Sequence, residues 1–363
     1  MYRAILRIAV ATIAITTGSI VAWSCTSAIV SARASADGRP MLWKHRDTGH
    51  EKNFIAKVPA RDGNLGYVAL FNSGDSTLSE AWVGMNESGF AVMNTASYNL
   101  APDTASYKDQ EGYVMSLALS RCHNVNDFEN LLESLPRPMG VQANFGVIDA
   151  NGNCAYYETD DYTFRKYDVA DTPYGILIRT NFSCSGTCGD GLGRIRYDNA
   201  RHLIQPYLTN ASITPETFTE ILSRSFYHSG RDADAMLSDS RYVEDADFIP
   251  RRSTSASIVI EGVADGEAPD RTIMWVMMGY PPCSYVIPVT LDHIPEELLP
   301  TGTRWESKLS KTIAQQKQKV IVKRAKKYYV DIKAIDAATD SLRNKSREGY
   351  AKGRKYRKST VLK

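Results

Sequence analysis

The feature that most constrains this chain is where its first cysteine stands. Met1–Arg7 carries Arg3 and Arg7, Ile8–Trp23 follows without a charge, and Cys25 comes directly after the small residue Ser24. A positive start, a short apolar run and small residues at Ala22 and Ser24 read as a secretory leader over residues 1–24. The run falls short of the roughly 20 apolar residues that a membrane-spanning helix needs; an uncleaved anchor is the competing reading. Cleavage after Ser24 would make Cys25 the first residue of an exported chain, periplasmic or extracellular.

That placement has a chemical consequence. A thiol with an ordinary pKa of about 8.5 is mostly protonated at neutral pH, so a nucleophilic cysteine needs a base beside it. A first residue brings one, because a free α-amine titrates at about 7.7–8.0. The rival reading is a lipid anchor, since a small residue followed by Cys also marks sites of lipidation. Trp23 fits the usual Leu-small-small pattern poorly, and a lipid would cap the thiol.

The residues that follow favour the nucleophile. Cys25-Thr26-Ser27-Ala28-Ile29-Val30 alternates like a strand with one buried face. Asp37-Gly38-Arg39-Pro40 supplies a turn, and Met41–Asp47 reads as the returning strand, which brings Lys44 and Asp47 back beside Cys25.

On these residues the chain resembles the N-terminal-nucleophile hydrolases of the choloylglycine hydrolase and penicillin V acylase family. Their relatives include the acyl-coenzyme A:6-aminopenicillanate acyltransferases and the N-terminal-cysteine dipeptidases. The shared pattern is Cys25-Thr26, the Asp37-Gly38 turn, then a basic residue, Lys44, with Asp47 three positions on. Many relatives carry Arg where this chain has Lys44, which keeps the charge but loses the planar fork. The resemblance implies an α+β fold, a four-layer αββα sandwich with two antiparallel sheets. It also implies a catalytic set of Cys25, Asp47, Asn94, Asn181 and Arg252, with Lys44 binding substrate. Asn94, two residues past the segment Gly84–Val92, would lie beside the oxyanion; Asn181 ends the strand Tyr174–Asn181 and would donate to it; Arg252, ahead of Arg251, would steady the nucleophile. Each also has a structural reading: an Asp47–Lys44 surface pair, Asn94 and Asn181 satisfying backbone groups, and two solvated loop arginines.

Elsewhere the sequence narrows the options. With 43% hydrophobic and 23% charged residues, the 363-residue chain can bury a sizeable core. No His spacing suits a metal, so no metal or cofactor is expected. Cys184 and Cys188, four apart, suggest a local disulfide in an exported protein. No Gly-x-Ser-x-Gly elbow occurs. Tyr113–Cys122, Val125–Leu135, Asp198–Tyr207 and Pro215–Arg224 read as helices; Gln142–Asp149, Cys154–Glu158, Ala256–Ile260, Arg271–Gly279 and Ser284–Val289 read as strands.

Residues 25–303 then form the hydrolase domain. Residues 304–363 hold 19 lysines and arginines against 5 acids, while the rest of the chain holds 24 against 36. An acidic body argues against a nucleic-acid partner. Ile321, Ala325, Tyr328, Ile332, Ile335, Thr339 and Leu342 form a heptad seam, read as one long helix over 304–342 and a route to a homo-oligomer. Residues 343–363 read as a mobile basic tail. The functional expectation is a hydrolase of a linear carbon–nitrogen amide bond in a small molecule, with a dipeptidase, an acyltransferase or a lipid-anchored surface binding protein as alternatives.

Overall fold

The computed structural model describes residues 24–101 and 106–359, so the leader apart from Ser24 lies outside the described residues. Among the described residues, no helix is long and apolar enough to cross a membrane.

Ten strands and three helices come first. They are β1 (Thr26–Val30), β2 (Met41–Asp47), β3 (Asn53–Val58), β4 (Tyr67–Asn72), β5 (Val83–Asn86), β6 (Ala91–Ala96), α1 (Glu111–Arg121), α2 (Val125–Ser134), β7 (Ala143–Ile148), β8 (Cys154–Thr159), β9 (Phe164–Asp168), β10 (Ile176–Arg179) and α3 (Arg194–Leu208). After a short hairpin, β11 (Tyr227–His228) and β12 (Ala233–Asp234), come β13 (Tyr242–Glu244), β14 (Thr254–Glu261), β15 (Ile273–Met278) and β16 (Ile287–Val289). A second short hairpin, β17 (Pro300–Thr301) and β18 (Glu306–Ser307), leads into α4 (Lys308–Val320), β19 (Ile321–Arg324), β20 (Lys327–Asp331) and α5 (Ile332–Ser359).

Two antiparallel sheets dominate: β10-β1-β2-β14-β15-β16 and β3-β4-β5-β6-β7-β8-β9. Alternation along each strand sends one set of side chains between the sheets and the other toward helices. Ile29, Leu42, Ile258 and Val276 meet Val68, Leu70, Met85 and Met93 in the inner layer. The outer face of the seven-stranded sheet, with Phe71, Val92 and Phe145, is covered by Met115 and Leu119 of α1 and Phe128 of α2. The outer face of the other sheet, with Ala28, Trp43 and Trp275, is covered by Ile204 of α3, Phe218 and Tyr350 of α5. These four layers are the αββα sandwich expected from the resemblance. The helices over 113–122, 125–135 and 198–207 are present with small shifts in their ends, and Asn124 caps α2 by accepting from the Asp127 amide at 3.0 Å. Pro215–Arg224 instead contains a wide turn over Thr217–Ile221 and a tight one over Leu222–Arg224.

The C-terminal region departs from expectation. The heptad over 304–342 is two helices separated by the β19–β20 hairpin, with Ala325 at its tip in the left-handed region at φ 51°. Within the seam, Ile332 and Ile335 are buried in this chain's own core. The stretch 343–359 is the second half of α5, docked on the sheet, not a loose tail. Its small residues explain the docking: a side chain at Gly349 would run into the Val286 carbonyl, and one at Gly353 into the Trp275 ring. Ser346, Tyr350 and Gly353 continue the buried helical stripe of Ile335 with small or aromatic groups that the charge-rich sequence hides.

Candidate active site

Cys25 immediately precedes β1, which pairs with β2 (Thr26 opposite His45, Ser27 opposite Lys44) and with β10 (Ser27 opposite Arg179). Running both registers on by one or two residues flanks Cys25 with Arg46 and Asn181. Alternation fixes the facing. Ser27 shares a 2.8 Å hydrogen bond with the Tyr156 hydroxyl in the other sheet, so Cys25, two residues earlier, also faces the inter-sheet layer. The thiol is 8% exposed and donates to the Asp47 carbonyl at 3.9 Å.

The Asp47 carboxylate, at the end of β2, is buried and fully engaged. Its Oδ1 accepts from Thr254 Oγ1 at 2.7 Å, and its Oδ2 accepts from Arg251 Nε and Nη2 at 3.1 and 3.0 Å. Arg251 Nη2 also donates to the Ser24 carbonyl at 3.4 Å, so the pair sits against the peptide bond that joins Ser24 to Cys25. Burial opposes the Arg251 charge, but Asp47 outweighs it and raises the guanidinium above its ordinary pKa. Neighbouring His45 is buried next to this group, with Nε2 3.2 Å from Thr254 Oγ1 and Nδ1 unpartnered. Burial, and then the Arg196 and Arg251 charges, push its pKa down to about 4 against the pull of Asp47.

Of the two arginines expected near the nucleophile, Arg252 ahead of Arg251, it is Arg251 that reaches Asp47. Arg252 turns outward: its guanidinium stacks 4.2 Å from the Tyr328 ring centroid and its amide donates to Asp245 at 3.1 Å. The turn that closes from the Thr254 amide to the Arg251 carbonyl (2.8 Å) sends the two adjacent side chains opposite ways.

A second cluster lies on the inter-sheet side. Lys44 Nζ donates to the Trp82 carbonyl and to Asn94 Oδ1, both at 2.6 Å. Because an ammonium only donates, Asn94 must present its oxygen there, which leaves its Nδ2, without an acceptor among the described residues, as the donating end. Burial lowers the Lys44 pKa to about 7, partly offset by the nearby Cys25. Arg46 donates to Asn53 and Asn72, each at 2.8 Å, and stacks 4.8 Å from the Trp82 centroid. Neither cation forms an ion pair among the described residues. Lys44 is 2% exposed, which makes it an inner wall of the site more than a surface handle.

Asn181 is joined to Cys25 through a residue that sequence reasoning missed. Arg196, near the start of α3, donates to the Cys25 carbonyl (2.6 Å), Thr26 Oγ1 (3.1 Å) and Asn181 Oδ1 (3.0 Å). Asn181 Nδ2 in turn donates to the Ala96 carbonyl at 2.8 Å, leaving one of its two amide hydrogens. Burial first, and then the like charge of Arg251, bring Arg196 down to about 10. The signal was local. Gly193 sits at φ 84°, and a Cβ there would strike the Arg196 guanidinium, so the glycine lets this arginine fold back under the nucleophile.

The expected Cys184–Cys188 disulfide is absent; both thiols are free and exposed. A carboxylate holds the loop instead: Glu158 accepts from the Cys184 and Ser185 amides at 2.8 and 2.7 Å and pairs with buried Arg179 at 2.7 Å. No group of three or more His, Cys, Asp or Glu among the described residues is arranged to hold a metal ion.

Comparison with known proteins adds a match over part of the chain. Residues 74–234 match the model of the acyl-coenzyme A:6-aminopenicillanic acid acyl-transferase family, a stretch that contains Asn94, Asn181 and Arg196 but not Cys25, Asp47 or Arg251. No curated protein sequence matches the chain. Among solved structures it is similar to a Caenorhabditis elegans ortholog of N-acylethanolamine-hydrolyzing acid amidase (13% identity, 68% of this chain and 93% of that one, TM-score 0.46). It is also similar to a mutant conjugated bile acid hydrolase from Clostridium perfringens (12%, 77% and 97%, TM-score 0.47) and to penicillin V acylase from Agrobacterium tumefaciens (13%, 74% and 87%, TM-score 0.41).

Proposed function

We propose, from kinship over residues 74–234 with the acyl-coenzyme A:6-aminopenicillanic acid acyl-transferase family, that this chain is an exported amidohydrolase whose nucleophile is an N-terminal Cys25. The observation that carries the reading is the Ser24–Cys25 peptide bond lying against the buried Arg251–Asp47 pair. Removal of the leader there leaves an amine beside a carboxylate already held in place. The Cys25 amine takes the thiol proton, and the sulfur attacks the carbonyl of a small-molecule amide. Nδ2 of Asn181 and of Asn94 donate to the developing oxyanion; one such donor is typically worth about 2.7–4 kcal/mol. The ammonium returns its proton to the leaving amine, the carbon–nitrogen bond breaks, and water releases the acyl group from the thioester. Asp47 orients the amine, Arg251 holds Asp47, and Arg196 fixes the Cys25 carbonyl. Lys44 and Arg46 provide positive charge on the thiol side.

The family match favours one second reading, transfer of the acyl group to an amine instead of water. A lipid tether fits less well, because Cys25 lies inside the sheet end, 8% exposed. The experiment is intact-mass analysis of protein quenched in acid during turnover of a panel of N-acyl amides. The expected result is an acyl adduct on Cys25 that is absent from Cys25→Ala and disappears on turnover; turnover of the same amides by Cys25→Ala would refute the assignment. Product analysis with and without an added amine separates hydrolysis from transfer.

A further inference from the structure

The C-terminal helices enclose a cavity that no part of the proposed reaction uses. Between α4 and α5 lies a cleft of about 570 Å³, inside the roughly 300–1,000 Å³ that small-molecule sites occupy. Leu309 and Ile313 of α4 and Ile335 and Leu342 of α5 give it an apolar floor. Leu309, Ile313 and Ile335 are only 5%, 3% and 3% exposed, so the floor is a recessed apolar surface that a small ligand could cover.

Its rim is cationic. Lys308, Lys319 and Lys345 line it against a single carboxylate, Glu297. The Lys345 ammonium, at an exposed position, stands 5.1 Å from the ring of Tyr285, another lining residue. None of the three lysines forms an ion pair among the described residues, although neighbouring cations do: Lys311 with Glu306, Lys317 with Glu51, Arg354 with Glu216 and Arg357 with Glu261. A second cavity, of about 510 Å³ under the end of α5, shows the contrast. There four carboxylates, Asp37, Glu216, Glu261 and Glu267, face the cations, and Arg39 and Arg357 already meet Glu267 and Glu261. An apolar slot with three unmatched cations at its mouth complements one ligand chemistry, a long hydrocarbon ending in an anion.

We propose that the α4–α5 cleft binds a single-chain anionic amphiphile, its tail along Leu309, Ile313 and Ile335 and its head group among Lys308, Lys319 and Lys345. The site is separate from Cys25 and does not depend on the proposed reaction. The test is fluorescence titration of the full chain with cis-parinaric acid below its micellar concentration, with laurate and dodecyltrimethylammonium as competitors. The expected result is saturable binding of one probe per chain, displaced by laurate and not by the cationic chain. Lys319→Met/Lys345→Met, at exposed positions, should weaken binding at least tenfold, and Ile335→Trp should abolish it in protein that keeps its circular dichroism and Tm. Equal displacement by both competitors, unchanged affinity in the lysine variant, or binding only to vesicles of anionic phospholipid would each overturn the proposal. Should Ile335→Trp fail to fold, the lysine variant and the competitor pair decide alone.

Discussion

Lys44 and Arg46 are buried without an ion pair among the described residues, and both face the layer that holds the Cys25 thiol. Buried charge of this kind is costly unless something answers it, and amide oxygens from Asn94, Asn53 and Asn72 do so only in part. On the opposite side, Arg251 and Asp47 answer each other. Replacing Arg251 by Leu leaves Asp47 buried and uncompensated, so amide turnover should fall by more than about 100-fold, the order a lost charged contact of 2.7 kcal/mol or more gives. Arg252→Leu should stay within about threefold, since that side chain rests on Tyr328. Initial rates of the two folded variants check the pair.

His45 adds a pH signature. Its pKa is about 4 in the folded chain, against an ordinary value near 6.5. Between those values the unfolded chain binds the extra proton, so stability falls as pH drops from about 6.5 to 4 and levels off below. At about 1.36 kcal/mol per pKa unit, this amounts to on the order of 3 kcal/mol. Urea melts of wild type and His45→Gln across that window should converge as the pH falls; parallel curves would contradict the sign. That Asp47 lies beside Cys25 was legible in the sequence because one hairpin joins them within 22 residues. Arg251 and Arg196 were not, because tertiary contacts pick them from pairs of like residues, Arg251/Arg252 and Arg194/Arg196.

At the scale of elements, α5 carries the sharpest departure from expectation. A lysine-rich segment with two glycines resembles a solvated tail by composition, yet the glycines are where the helix approaches the sheet. Tyr350 is 3% exposed, with its ring centroid 4.8 Å from that of Trp275. Tyr350→Ala should cost about 3–5 kcal/mol, as for other buried aromatic truncations. Gly353→Leu should be comparably harmful through overpacking against Trp275, and Lys352→Ala, on the exposed face, should be near neutral. Denaturant midpoints settle all three. The hairpins β1–β2 and β7–β8 and the helices α1 and α2 were legible because period-two and helical patterns there are uninterrupted and the two turns carry Asp-Gly and Asn-Gly. The hairpin at Lys323–Lys327 was hidden because a heptad count passes through Ala325 without registering its positive φ.

For the whole molecule, the two sheets and their covering helices hold one sheet end where β1 begins just after Cys25. The catalytic account depends on what precedes that residue: Ser24 is 5% exposed, and its carbonyl is held by Arg251. Processing and activity are therefore one question. The direct measurement is the intact mass and N-terminal sequence of active protein purified from the exported fraction, paired with its rate of amide cleavage. The account predicts a chain that starts at an unmodified Cys25 with a free amine. Full activity from a chain that starts elsewhere, or whose first amine is blocked, would contradict it.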